Sequence, residues 1–160
     1  MSRRARPWAM PVTVLAALLL GVLPLPAAVQ PLRPFWLALV VAYWLVEEPE
    51  RAGLGFAFLC GLVADLVFGS VLGEHALRLV VMAFILQRFR AQLRFFPVTQ
   101  QALVIGGLLL NDRVVAAALH LFLGLKQLPW PYWIAPVVGM LLWPPLFVVL
   151  DALRLGRRTR

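Results

Sequence analysis

Few side chains in this 160-residue chain could do chemistry, and most of them interrupt apolar runs. Asp65 breaks the stretch Leu62-Val63-Ala64-Asp65-Leu66-Val67-Phe68, and Asn111-Asp112-Arg113 breaks the run from Val98 to Leu123. A carboxylate within an apolar span costs at least about 2–3 kcal/mol on insertion scales. It is therefore either protonated and hydrogen-bonded or paired with a cation. Depth offers a partner for Asp65. It lies roughly 13 residues, about 20 Å, into one apolar run, and Arg113 lies roughly 15 residues, about 22 Å, into another of the same direction. An Asp65–Arg113 pair is the expectation. Asp112 and Arg113 are consecutive, so on a regular helix they point about 100° apart and cannot pair well with each other. A wet pocket around Asn111-Asp112-Arg113 is one reading of the triplet; snorkelling to an interface is the other.

The remaining candidates are weaker. Glu74 and Arg78 stand four apart with the acid first, the favoured orientation for a helix pair. His75 and His120 fall on different runs with no third ligand type nearby, so neither metal nor cofactor is expected. Cys60 is the one cysteine and reads as a small packing residue. No phosphate-binding glycine loop, Ser/His/Asp constellation or cysteine nucleophile can be assembled. No catalytic residue is expected, and the chain does not read as an enzyme.

The elements that hold these residues are set by composition. The chain is 62% hydrophobic and only 14% charged, with mean hydropathy +0.89. Soluble domains run near 45–50% apolar and about 25% charged. Such a chain is neither an ordinary globular enzyme, nor disordered, nor a disulfide scaffold. It reads as an all-α polytopic membrane bundle in a single domain. Six apolar runs can be traced, at 8–25, 32–47, 52–72, 74–89, 98–123 and 132–153. The second and fourth are short for a span, since crossing the hydrocarbon core takes about 20 residues. Arg3, Arg4 and Arg6 before an apolar run ending in Pro24-Leu25-Pro26-Ala27-Ala28 imitate a signal peptide. Charge parity favours an uncleaved first helix instead.

The net charge is +8. In a soluble chain this would point to nucleic acid, but here the basic residues flank apolar runs. With the amino terminus in the cytoplasm, eleven of the 15 Lys and Arg fall inside: Arg3, Arg4, Arg6, Arg51, Arg88, Arg90, Arg94, Arg154, Arg157, Arg158 and Arg160. Arg33, Arg78 and Lys126 fall outside. This bias orients the bundle with both termini cytoplasmic. The inner arginines are expected to meet anionic lipids, and no nucleic-acid partner is expected. Trp8, Trp36, Trp44, Trp130 and Trp133, with Phe35, Tyr43 and Tyr132, lie near run ends and read as interfacial aromatics. Trp143 lies mid-run before Pro144-Pro145, where two missing donors are expected to kink the helix.

One pattern is regular. Gly53, Ala57, Gly61, Asp65, Gly69 and Gly73 recur every four residues and form a ridge on one helix face, with Gly55 and Ser70 beside it. Small residues on a ridge let backbones approach closely in lipid. The ridge is therefore a packing interface, for another helix of this chain or for a partner.

The motifs together resemble the MreD family of bacterial rod shape-determining proteins. The blocks are Arg33-Pro34-Phe35-Trp36 with Tyr43-Trp44 and Pro49; Gly53-Leu54-Gly55-Phe56-Ala57-Phe58, Gly61-Leu62, Asp65, Gly69-Ser70, Leu72-Gly73 and His75-Ala76-Leu77; Gln100-Gln101-Ala102-Leu103-Val104; and Leu142-Trp143-Pro144. Thr99 and Pro145 depart from residues common in the family. The resemblance implies an inner-membrane, non-catalytic scaffold of the cell-elongation complex, required for cell shape and organised peptidoglycan synthesis. It implies MreC as partner through transmembrane helix packing, with RodA, a class B penicillin-binding protein and, indirectly, MreB beyond it. It also implies a fold like the six-helix substrate-binding subunits of energy-coupling-factor transporters. A vitamin-type transporter subunit is accordingly the second reading, and a membrane enzyme or flippase the third.

Overall fold

A computed structural model describes residues 5–156; Arg3, Arg4, Arg157, Arg158 and Arg160 lie outside the described residues. Six α-helices and no strand are found among them: α1 Ala9–Val22, α2 Trp36–Glu47, α3 Leu54–Phe68, α4 Glu74–Leu93, α5 Val98–Phe122 and α6 Ala135–Leu155. Short 3-10 turns at Gln30–Leu32 and Trp130–Trp133 lead into α2 and α6.

The second helix is the centre of the bundle. Its run Leu37–Val46 carries no charged residue, and every one of those positions is buried. A helix that is apolar all round has no solvent face and goes inside; α2 accordingly touches all five other helices. With 12 residues it is only about 18 Å long, against a hydrocarbon core of about 30 Å. Tyr43 and Trp44, expected at an interface, are 0% exposed at its heart. A buried indole N–H usually finds a partner. Trp44 has one, donating to the Thr13 hydroxyl at 2.9 Å. That hydroxyl lies 2.8 Å from the Ala9 carbonyl one turn back.

The helices around α2 differ in length. α5 and the segment Trp130–Leu155 are long and apolar enough to cross a membrane, whereas α1 and α3 are shorter apolar helices. Their outward faces stay apolar, with Leu66 75% and Leu141 68% exposed. Local chemistry sets the ends. α1 stops at Val22, ahead of Pro24 and Pro26. α2 begins at Trp36 rather than 32, because the 3-10 turn and Pro34 precede it. α3 ends at Phe68 rather than 72, where Gly69 turns left-handed at φ +66°. α4 continues past 89 to Leu93. α6 runs through Pro144 and Pro145 without interruption.

α3 makes its main contact with α4, and α5 with α6. Glycine decides both close approaches. A Cβ on Gly61 would overlap the backbone of Ala76 and stand 2.7 Å from the His75 carbonyl carbon. Where α5 meets α6, a Cβ on Gly139 would overlap the Leu109 side chain, and one on Gly106 would lie 2.9 Å from Met140 Sδ.

Candidate functional site

The α3–α4 hairpin is built around Asp65, which is 2% exposed. Its carboxylate accepts hydrogen bonds from the Ser70 hydroxyl at 2.7 Å and from the backbone N–H groups of Gly73 at 2.8 Å and His75 at 2.9 Å. The His75 Nδ1 also lies 2.8 Å away. The first N–H groups of a helix have no partner inside it, and the dipole there favours a negative charge. Asp65 therefore caps α4 from the preceding helix. The ridge of small residues is correspondingly shorter than its sequence pattern. Ala57, Gly61 and Asp65 face α4 within α3, whereas Gly53 is the residue before α3 begins. Gly69 and Gly73 belong to the turn, with φ of +66° and +97°, and a Cβ on either would meet nothing within 4 Å. They are selected by backbone conformation rather than by close packing.

The expected Asp65–Arg113 pair does not form among the described residues. Arg78 holds Asp112 instead, through Nε to Oδ1 at 2.9 Å and Nη2 to Oδ2 at 2.6 Å. This two-pronged pairing is the strong geometry for a guanidinium. Glu74 adds the expected i,i+4 contact to Arg78 at 3.5 Å and lies 3.3 Å from His120 Nε2. The Phe35 ring stacks 4.9 Å from the Arg78 guanidinium. Helix rotation explains the change of partner. Asp112 meets Arg78 of α4, and its neighbour Arg113, about 100° further round, turns toward the approach to α6, 5.6 Å from the Tyr132 ring. The signal for Arg78–Asp112 was present in the sequence. Counted from the short turn joining α4 and α5, Arg78 is about 22 Å along one helix and Asp112 about 21 Å along the other.

Arg113 lines a cavity of about 420 Å³ at the end of the bundle away from the chain termini. Its walls come from the end of α1 (Gly21, Val22), the approach to α2 (Gln30, Arg33, Phe35), the end of α3 (Val67, Phe68) and the start of α4 (His75, Arg78). No acidic side chain lines it. Arg33 reaches across to donate to the carbonyls of Gly21 and Leu23, which capture the unsatisfied C-terminal end of α1. Neither Arg33 nor Arg113 makes an ion pair among the described residues. Asn111 is partly buried on α5 and is not among the residues that line this cavity.

The termini end carries the opposite balance. Arg154 there meets Glu47 at 2.9 Å, Asp151 at 2.8 Å and Glu48 at 3.5 Å. The Tyr43 hydroxyl donates to Asp151 at 3.2 Å, and the Arg154 carbonyl accepts from the Arg6 N–H at 3.1 Å. No group of three or more metal-type side chains is found among the described residues.

Comparison with known proteins identifies the family. A family model described as rod shape-determining protein MreD matches residues 2–153. The chain belongs to the MreD family. The rod shape-determining protein MreD of Haemophilus influenzae is 31% identical over 138 residues, covering 86% of this chain and 85% of the relative. No solved structure matches the chain significantly.

The residues that carry the MreD resemblance do different structural work. Arg33 caps α1, Pro34 and Trp36 border the cavity, and Tyr43 and Trp44 fill the centre. Gln101 is buried and donates to the Leu93 and Phe96 carbonyls at 3.0 and 3.3 Å, closing the end of α4. Gln100 beside it is exposed. Trp143 is 1% exposed and lies against Phe147, their rings 6.1 Å apart. Pro144 follows it on α6, and Gly55 on α3 has nothing within 4 Å of an added Cβ.

Proposed function

We propose that this rod shape-determining membrane protein is a non-catalytic scaffold of the cell-elongation machinery, binding MreC by packing against its transmembrane helix. Through MreC it would join RodA and its class B penicillin-binding partner, and indirectly MreB, so that peptidoglycan synthesis follows cell shape. The family match over nearly the whole chain supports this reading above all. The α3 ridge is occupied by α4, so a partner helix must use an outward face. A concave apolar groove between α1 and α3, about 400 Å³ and lined by Val14, Leu18, Leu59, Cys60 and Val63, fits the ridge of one helix. The exposed Arg88 and Arg94 would meet anionic headgroups at the termini end, in a multi-pass orientation with both termini cytoplasmic.

The test is co-purification of MreC with Leu59→Trp, in the groove, and with Val148→Trp, on the outward face of α6. Both variants are expected to accumulate, and only the first to lose MreC. Retention of MreC by both would remove the groove as the docking face. Cysteine labelling at 47–51 in a Cys60→Ser background tests the orientation. An impermeant reagent that labels this loop in intact cells would overturn it. The roomy cavity favours a second reading, a small-molecule-binding transporter subunit, for which solute uptake by the protein in vesicles is the decisive measurement.

A further inference from the structure

We propose that the cavity at the end away from the termini binds a phosphomonoester, gripped by Arg113 with Arg33 and Arg78 around it. The volume, about 420 Å³, lies in the range of small-molecule sites and is many times that of a water molecule, about 30 Å³. Three arginines and no carboxylate line it. The nearby acids are engaged elsewhere. Both oxygens of Asp112 bind Arg78, and those of Asp65 hold the start of α4.

Two cations at the cavity are therefore left without a counter-ion. Arg113 has the Tyr132 ring beside it, and the carboxylate next along α5, Asp112, is held on both oxygens by Arg78; a cation withdrawn from water without an anion of its own is strongly disfavoured. Arg33 donates only to the neutral carbonyls of Gly21 and Leu23, which satisfy its N–H groups but not its charge. An anion in the cavity supplies what both lack. Guanidinium groups present a planar fork that matches phosphate oxygens. Two uncompensated charges suit a group carrying close to two negative charges at pH 7, as a phosphomonoester does, better than a carboxylate with one. Val22, Val67 and Phe68 give the lower wall an apolar surface for the organic part. Such a ligand could be the headgroup of a membrane lipid or a soluble phosphomonoester.

Both sources can be separated with the full chain, delipidated in a neutral detergent. Dioctanoyl phosphatidic acid, dioctanoyl phosphatidylcholine and glycerol phosphate are each titrated, and the rise in unfolding temperature is read. A rise with phosphatidic acid alone identifies a lipid headgroup; a rise with glycerol phosphate as well identifies a phosphomonoester of either source. Arg113→Gln is expected to weaken binding about tenfold or more, the loss of a charge-assisted contact. Arg94→Gln, on the exposed end of α4, should leave binding unchanged. Gln30→Glu places a carboxylate at the exposed rim and should also weaken binding, which keeps the test open if Arg113→Gln folds poorly. No rise with either phosphomonoester, an equal rise with phosphatidylcholine, or equal loss in Arg94→Gln and Arg113→Gln would overturn the proposal. No partner protein enters the experiment, so its failure leaves the scaffold reading standing.

Discussion

The two ends of the bundle handle buried charge in opposite ways. At the termini end one guanidinium, Arg154, is surrounded by Glu47, Glu48 and Asp151. At the other end Arg78 takes Asp112 and Glu74, while Arg113 and Arg33 have no acid. In the first cluster the cation is fully partnered, and its contacts tie α2 to α6. The second is closed around Arg78 but open at the cavity. A closed cluster contributes to holding helices together, whereas Arg113, an uncompensated cation on the cavity wall, contributes little to the fold and is free to meet a ligand; Arg33 does both, since it also caps α1. The contrast therefore separates residues needed for folding from residues available for binding.

Substitutions at the two ends should show this difference as changes in unfolding free energy, measured in detergent. The largest change is expected for Asp112→Leu, which leaves Arg78 buried with only the weaker Glu74 contact. Removing one partner of a buried pair costs about 3–5 kcal/mol. The double variant Asp112→Leu with Arg78→Met should recover most of that loss. If it is no more stable than Asp112→Leu alone, the pair is not what holds α4 to α5.

Arg154→Gln should cost about 1.5–3 kcal/mol, the range for a hydrogen bond to a charged group. The loss should be smaller than for Asp112→Leu because Asp151 is partly exposed and keeps access to water. A loss larger than that of Asp112→Leu would reverse the ranking of the two ends.

Gly61→Ala tests the wall that positions Asp65 and His75. Its methyl group overlaps the backbone of α4, so a loss of about 1–3 kcal/mol is expected from overpacking. Gly55→Ala, with open space at its Cβ, should be neutral or slightly stabilising, since alanine favours the helix by up to about 1 kcal/mol. Equal effects at the two glycines would mean that α3 and α4 are not in backbone contact.

The smallest change is expected for Arg113→Gln, within about 0.5 kcal/mol, as for a residue outside any structural network. A loss as large as that of Arg154→Gln would show Arg113 to be a folding residue, and the two ends would then differ less than their ion pairs indicate.

The fold and the site were legible in the sequence to unequal depths along the chain. The six helices were legible because long apolar runs separated by Pro, Gly and charge have few other solutions; the end of α1, the start of α2 and the end of α3 moved where a proline, a 3-10 turn or a left-handed glycine intervened, whereas α4 ran on past its apolar run into Arg90 and Leu93. The small-residue pattern on α3 was visible too, yet its last two members, Gly69 and Gly73, proved to be turn residues. A four-residue repeat continues unbroken across a helix end, so spacing alone does not reveal where the helix stops. The aromatic pair Tyr43-Trp44 was misplaced at an interface for a related reason. Position near the end of an apolar run resembles the aromatic belt, and spacing does not reveal that Thr13 of another helix is there to accept from the Trp44 indole.

Composition, charge and motif order were sufficient, without coordinates, for an all-helical membrane protein of the MreD family, since these depend on residue types and local periodicity. Which helix is central, which acid meets which arginine and where a cavity opens were decided by the tertiary structure. Each depends on how far one helix is rotated about its axis relative to the next. A rotation of about 100° is all that separates Asp112, paired with Arg78, from Arg113, facing an open cavity. Sequence records the two residues as neighbours; packing sends them to opposite tasks.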